Sequence, residues 1–123
     1  MELCNLDYCP ERGASIDPHL DDSWLWGEHL VTLNLLSDTV LTLIDLDNIY
    51  EVDIPMPQYS LVILKGNARY KWMHGIKRSD IRSRRIAVTL RELSQGFVSE
   101  VGCKEITNSL LETATLYKGL PSS

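Results

Sequence analysis

Cysteine is scarce in this chain, and what there is does not pair. Cys4, Cys9 and Cys103 are an odd number with no C-x-x-C spacing, so neither a disulfide framework nor a zinc site is expected. They read as buried free thiols, which fit a reducing compartment, and a cytoplasmic or nuclear location is expected. No apolar run approaches the ~20 residues of a membrane-spanning helix, and no signal-peptide pattern opens the chain, so no membrane partner is expected. Repeats, low-complexity tracts and Gly/Ser linkers are also missing. At 123 residues the chain reads as one domain, 1–123, large enough to bury a core without staples. Met1-Glu2-Leu3-Cys4-Asn5 reads like the middle of a strand, which suggests a piece of a longer protein.

What is present begins with an uneven charge. The net charge is −5, yet residues 65–91 hold nine of the twelve Lys and Arg against a single acid, Asp80. That block carries +8 and the remainder −13. A uniformly acidic protein binds polyanions poorly, and this one carries a local exception.

Short β-branched runs follow one another closely. Leu3 to Tyr8 suits a strand, Cys9 to Ser15 is turn chemistry, and Pro18 biases Asp17 toward extended backbone. In Leu30 to Leu36, Val31, Leu33 and Leu35 share one face and Thr32 and Asn34 the other. Thr39 to Ile44 is a further run. Tyr50, Val52 and Ile54 alternate with Glu51 and Asp53 in a half-buried strand stopped at Pro55-Met56-Pro57, and Ser60 to Leu64 follows. Strands at this spacing predict an all-β sandwich or barrel. From Thr107 to Lys118 the period changes: Leu110, Leu111, Ala114 and Tyr117 fall at helical spacing before Gly119 and Pro121. A C-terminal helix over 104–118 is expected to pack on the outside of a β core of about 1–93.

His19-Leu20-Asp21 is the first candidate for chemistry. An imidazole and a carboxylate two positions apart can grip one divalent metal where a strand ends, and His74 is the candidate third ligand. Two histidines and one carboxylate with open positions form the facial triad of non-haem Fe(II) oxygenases. Strand period places Tyr70, Trp72 and His74 on one face, and Gly75 allows a close turn behind them. Farther on, Arg85, Ala87, Thr89 and Arg91 share a face opposite Ile86, Val88 and Leu90. Two inward arginines are costly to bury without anions, and an anionic dicarboxylate cosubstrate would supply them. His29 reads as a surface residue and Asp22 as solvated or supporting. Trp24 and Trp26 read either as core aromatics or as the lining of a substrate entrance. The basic loop 77–84 reads either as solvated or as a docking patch for an acidic partner.

Taken in order, His19-Leu20-Asp21, the stretch Ala68 to Ile76 around His74, and the R-x5-R spacing of Arg85 and Arg91 resemble the AlkB family of Fe(II)/2-oxoglutarate dioxygenases. The segments from Ser15 to Glu28 and from Pro57 to Glu92 resemble its homologue-four branch. The resemblance implies a mainly β fold, a double-stranded β-helix (jelly roll, cupin-like) incomplete at its N-terminus, with a C-terminal helix. It implies Fe(II) held by His19, Asp21 and His74, with 2-oxoglutarate and O2 as cosubstrates. It implies that Arg85 pairs the distal carboxylate, with Arg91 nearer the metal. The family's Asn-x-Tyr contacts carry over to Asn5 and Tyr8, here separated by one extra residue. The implied activity is oxidative N-demethylation of methyl-lysine in actin or of N6-methyladenine in DNA, releasing formaldehyde, succinate and CO2. The alternatives are a non-catalytic metal-binding β-domain acting as a protein-interaction module, and a cupin-like metal protein without 2-oxoglutarate.

Overall fold

Alternating β-branched runs and turn residues resolve into eight strands in a computed structural model that describes residues 2–47, 49–99 and 101–116. In chain order these are β1 (Glu2–Tyr8), β2 (Ile16–His19), β3 (Trp26–Leu35), β4 (Thr39–Asp45), β5 (Glu51–Met56), β6 (Leu61–Leu64), β7 (Trp72–Ile76) and β8 (Arg85–Leu93). The helices are a single turn, α1 (Asn67–Tyr70), and two at the C-terminal side, α2 (Gln95–Ser99) and α3 (Val101–Leu116).

The strands form two antiparallel sheets, ordered β1-β8-β3-β6 and β2-β7-β4-β5. Consecutive strands cross from one sheet to the other, except for the β4–β5 hairpin. This is the jelly-roll-like sandwich that the resemblance implies. Tyr8, Leu30, Leu41, Leu43, Met56, Leu64, Ile76 and Ala87 meet between the sheets and form the core.

Which face of each strand turns inward is less obvious. On β3 the inward residues are Leu30, Thr32 and Asn34, so a polar pair faces the interior, and Asn34 is fully buried. Val31, Leu33 and Leu35 turn outward beside Ile86, Val88 and Leu90 of β8, with exposed Leu61 and Ile63 next to them. The first sheet therefore presents an apolar outer face.

Several local expectations change. Residues 69–74 are not one strand. Gly66 takes a positive φ of 57°, α1 follows, and β7 begins only at Trp72. Trp72 and His74 keep a common face, and Tyr70 leaves it. Pro55 does not stop β5, because β5 is a sheet edge where a missing N–H costs no ladder bond. Ile54 and Met56 are the inward residues of β5, whereas Tyr50 and Val52 are exposed. Gly75 lies inside β7 rather than at a turn. Trp24 and Trp26 do not share a face, because residues 23–25 form a turn. Trp24 is exposed and meets the edge of Phe97, while Trp26 opens β3.

The C-terminal helix exists but starts earlier, at Val101, and packs chiefly against α2 rather than on the β core. Its buried positions include Cys103 and Thr107, while Leu110 and Leu111 are about half exposed, at 53% and 47%. Tyr117, Lys118, Gly119 and Pro121 lie outside the described residues. No disulfide joins the three cysteines, and only Cys103 is buried; Cys4 and Cys9 are partly exposed. No helix among the described residues is long and apolar enough to cross a membrane.

Candidate active site

β2 delivers the first ligand candidate. Its register with β7 sets His19 directly opposite His74, and their ring centroids lie 4.5 Å apart. That closeness depends on Gly75. A Cβ there would stand 2.7 Å from the Ile16 carbonyl oxygen and 3.0 Å from the Pro18 nitrogen, so only glycine lets β2 approach this nearly. After His19 the chain leaves the strand, and Asp21 swings back toward both rings. Its Oδ1 lies 3.3 Å from His19 Nε2 and 3.9 Å from His74 Nε2.

The three side chains offer ligand atoms within 4.8 Å of one another. His19 Nδ1 lies 2.8 Å from the Asp17 carbonyl oxygen, which only a protonated Nδ1 can bond, so the Nε2 lone pair faces the site. Burial, helped by the positive surroundings of His19, Arg69 and Arg91, pushes the His74 imidazole down to about 4 against the pull of Asp21. His74 is therefore neutral near pH 7, as a ligand must be. Arg91 Nη1 donates to Asp21 Oδ2 at 3.1 Å, leaving Oδ1 for the centre. Its other nitrogens hold Glu2, at 2.6 Å from Nε, and its guanidinium stacks 4.5 Å from the Trp26 ring. A pair of imidazoles and one carboxylate converging in this way fit a facial Fe(II) triad.

From this cluster a cavity of about 170 Å³ runs between the sheets to Arg85, lined by Tyr8, Leu30, Thr32, Thr89 and others. It is smaller than the ~300–1,000 Å³ of ordinary ligand clefts, which suits a small molecule. Arg85 is only 1% exposed. Its Nε donates to Asn34 Oδ1 at 2.5 Å, and its guanidinium lies 4.9 Å from the Tyr8 ring. Its Nη1 is buried with no hydrogen-bond partner. Burial pulls this guanidinium below its ordinary range and pushes the Tyr8 phenol up. A buried cation with a spare donor at the end of a small cavity fits a carboxylate, which can take the guanidinium fork.

Asn34 went unrecognised in the sequence. Its side-chain amide donates to the carbonyls of Ser37, Met56 and Pro57 at 2.9, 3.0 and 2.9 Å, which turns its oxygen to Arg85. Arg69 was missed as well, and a lone arginine in a helical turn gives no signal. The polar stripes on β3 and β8 did give one, since two inward polar faces on paired strands imply something polar between them. Asn5 is corrected. It is exposed on the outer face of β1, because it stands three positions before Tyr8 and strand period puts them on opposite faces. Cys4, Leu6 and Tyr8 line the cavity instead.

The basic block disperses in three dimensions. Arg69 and Arg85 are buried, Arg91 pairs with Glu2 and Asp21, Lys77 with Glu51 and Asp53, and Arg84 with Asp7. Within 77–84, Arg78 and Arg82 are also exposed. His29 is at the surface, 3.1 Å from Glu92, and Asp22 accepts from the Trp24 and Leu25 amides, closing a turn.

No family model matches the chain. Among curated proteins it is 44% identical over 151 residues to the Homo sapiens "Alpha-ketoglutarate-dependent dioxygenase alkB homolog 4", a match covering 98% of this chain and 50% of the relative. The Mus musculus protein of the same name is 41% identical with the same coverage. A Caenorhabditis elegans "DNA N6-methyl adenine demethylase" is 38% identical over 97 residues, 79% of this chain and 33% of the relative. The chain thus spans about half the length of the first two relatives.

Proposed function

The chain belongs to the AlkB-like dioxygenases, on the homologue-four branch, and from that membership we propose that it carries the catalytic site of a 2-oxoglutarate-dependent oxidative N-demethylase. One observation supports this reading above the rest. A small cavity has a facial-triad cluster at one end and a buried arginine with an unpaired Nη1 at the other.

His19, Asp21 and His74 would hold Fe(II). Arg85, oriented by Asn34 and flanked by Tyr8, would pair the distal carboxylate of 2-oxoglutarate. Arg91 fixes the second oxygen of Asp21 beside the centre. Bound iron with 2-oxoglutarate and O2 supplies the oxidation of an N-methyl C–H bond, whose carbinol product releases formaldehyde. The chain's own part is to keep His74 neutral, hold the ligands facially, seat the cosubstrate and enclose it between two sheets.

For the substrate, we propose a methylated macromolecule, either methyl-lysine in an actin-like protein or N6-methyladenine in DNA. The worm relative's name supports the second. The dispersal of the +8 block weakens the electrostatic case for nucleic acid, leaving Arg78 and Arg82 as candidate backbone contacts in 77–84. Succinate and formaldehyde should both be assayed with Fe(II), 2-oxoglutarate and either methyl-lysine peptide or N6-methyladenine oligonucleotide, in wild type, His19→Ala and Asp21→Ala. Turnover lost in both variants is expected, and unchanged succinate in either would sink the triad. The open apolar sheet face favours a second reading, a metal-binding interaction module. Metal and 2-oxoglutarate binding without formaldehyde from any substrate would select it.

A further inference from the structure

Arg69 is 2% exposed, although its guanidinium has no carboxylate within ion-pairing distance among the described residues. Backbone carbonyls compensate its charge instead. Nη1 donates to Asp21 O at 2.9 Å, Nη2 to Asp22 O at 3.2 Å and Trp26 O at 3.4 Å, and Nε to Gly27 O at 3.3 Å. All four acceptors belong to residues 21–27, the segment that leaves β2 with the carboxylate ligand and enters β3. The same segment closes on itself through Trp26 N to Asp22 O at 3.0 Å and the Asp22 side-chain turn. Arg69 is thus a plug around which this loop is wrapped.

We infer that Arg69 is the positioning residue that assembles the metal triad, by clamping the Asp21 peptide to the segment that carries His74. This rests on the metal reading above. Asp21 lies outside any strand, so no ladder orients it, and its carboxylate reaches the histidines only if its own backbone is held. Arg69 takes that peptide's carbonyl directly, while α1 runs within two residues into β7, where His74 stands directly opposite His19. One side chain thereby ties the loop ligand to a strand ligand. Spreading donors over four carbonyls needs the planar guanidinium fork; a lysine ammonium offers its donors from one point and cannot span them.

The test uses the full chain and Co(II) as probe, titrated by visible absorption and calorimetry, with hydrogen exchange read on the amides of 22–27. Arg69→Lys keeps the charge and loses the fork; Arg69→Gln loses both. Both variants should bind Co(II) about 10–100-fold more weakly, the range for removing a group that orients a ligand. Exchange should rise in 22–27 and stay unchanged in residues 28–35 of β3 and in β8. Co(II) affinity within twofold of wild type in a folded Arg69→Lys overturns the inference while leaving the metal reading intact. Wild type that binds no Co(II) overturns the metal reading and the inference with it. If circular dichroism shows both variants unfolded, Arg69 supports the whole domain, and a role specific to the site is overturned.

Discussion

Arg85 shows how a single residue can report a ligand. A guanidinium at 1% exposure with one unpaired donor is costly on its own, since a buried polar group without a partner loses about 1–3 kcal/mol, and more if charged. Truncating it to Met should lower 2-oxoglutarate affinity about 100-fold or more, measured by calorimetry with Mn(II), while Co(II) binding alone stays near wild type. Equal loss of both would mean that the change had disturbed the fold. Asn34 behaves differently because its amide serves three carbonyls as well as Arg85. Asn34→Ala should cost about 3 kcal/mol in urea denaturation, since it orphans several buried groups at once. The sequence marked Arg85 by its place in the R-x5-R stripe. It left Asn34 unmarked, because a lone Asn in an alternating strand equally suits a solvated face.

At the level of elements, the β2–β7 pair decides the metal site. The two histidines pair directly across β2 and β7, after a register shift in β2 between Ile16 and His19, and Gly75 sets how closely the strands meet. Gly75→Ala would force its methyl onto the Ile16 carbonyl and should destabilise the chain by about 1–3 kcal/mol. It should also weaken Co(II) binding more than a cavity mutation of equal thermodynamic cost. Helix α3 gives the opposite expectation. Leu110→Gln and Leu111→Gln should each shift stability by no more than about 0.5 kcal/mol in thermal unfolding, because these side chains are half exposed. Helical spacing located α3 without saying which surface it meets, and Leu110 and Leu111, two of the residues expected to pack, are half exposed. Strand period read residues 69–74 as extended, but the positive φ at Gly66 commits the chain to a helical turn first.

For the whole molecule, the cavity has ends built from different sheets. His19 and His74 at one end come from β2-β7-β4-β5, and Arg85 at the other from β1-β8-β3-β6. A ligand touching both ends therefore ties the sandwich together and should stabilise it. Metal and 2-oxoglutarate, each at about 100 times its dissociation constant, should contribute about 2.7 kcal/mol apiece, or roughly 10 °C in Tm each for a domain of this size. Scanning fluorimetry should show a larger shift with both than with Mn(II) alone, and none in His19→Ala.

The sequence alone settled the features that local chemistry and period dictate: the order of strands, the inward face of Arg85, Ala87, Thr89 and Arg91, and the identity of His19, Asp21 and His74 as a candidate set. Tertiary structure decided everything that depends on which neighbour an element meets. It turned Asn34 and Thr32 inward because β3 lies beside the arginine strand. It put Asn5 outside, paired Lys77, Arg84 and Arg91 of the basic block with acids, and buried Arg69 under the loop that bears Asp21. A strand's period states that two faces differ; only the sheet that packs against it determines which one is the interior.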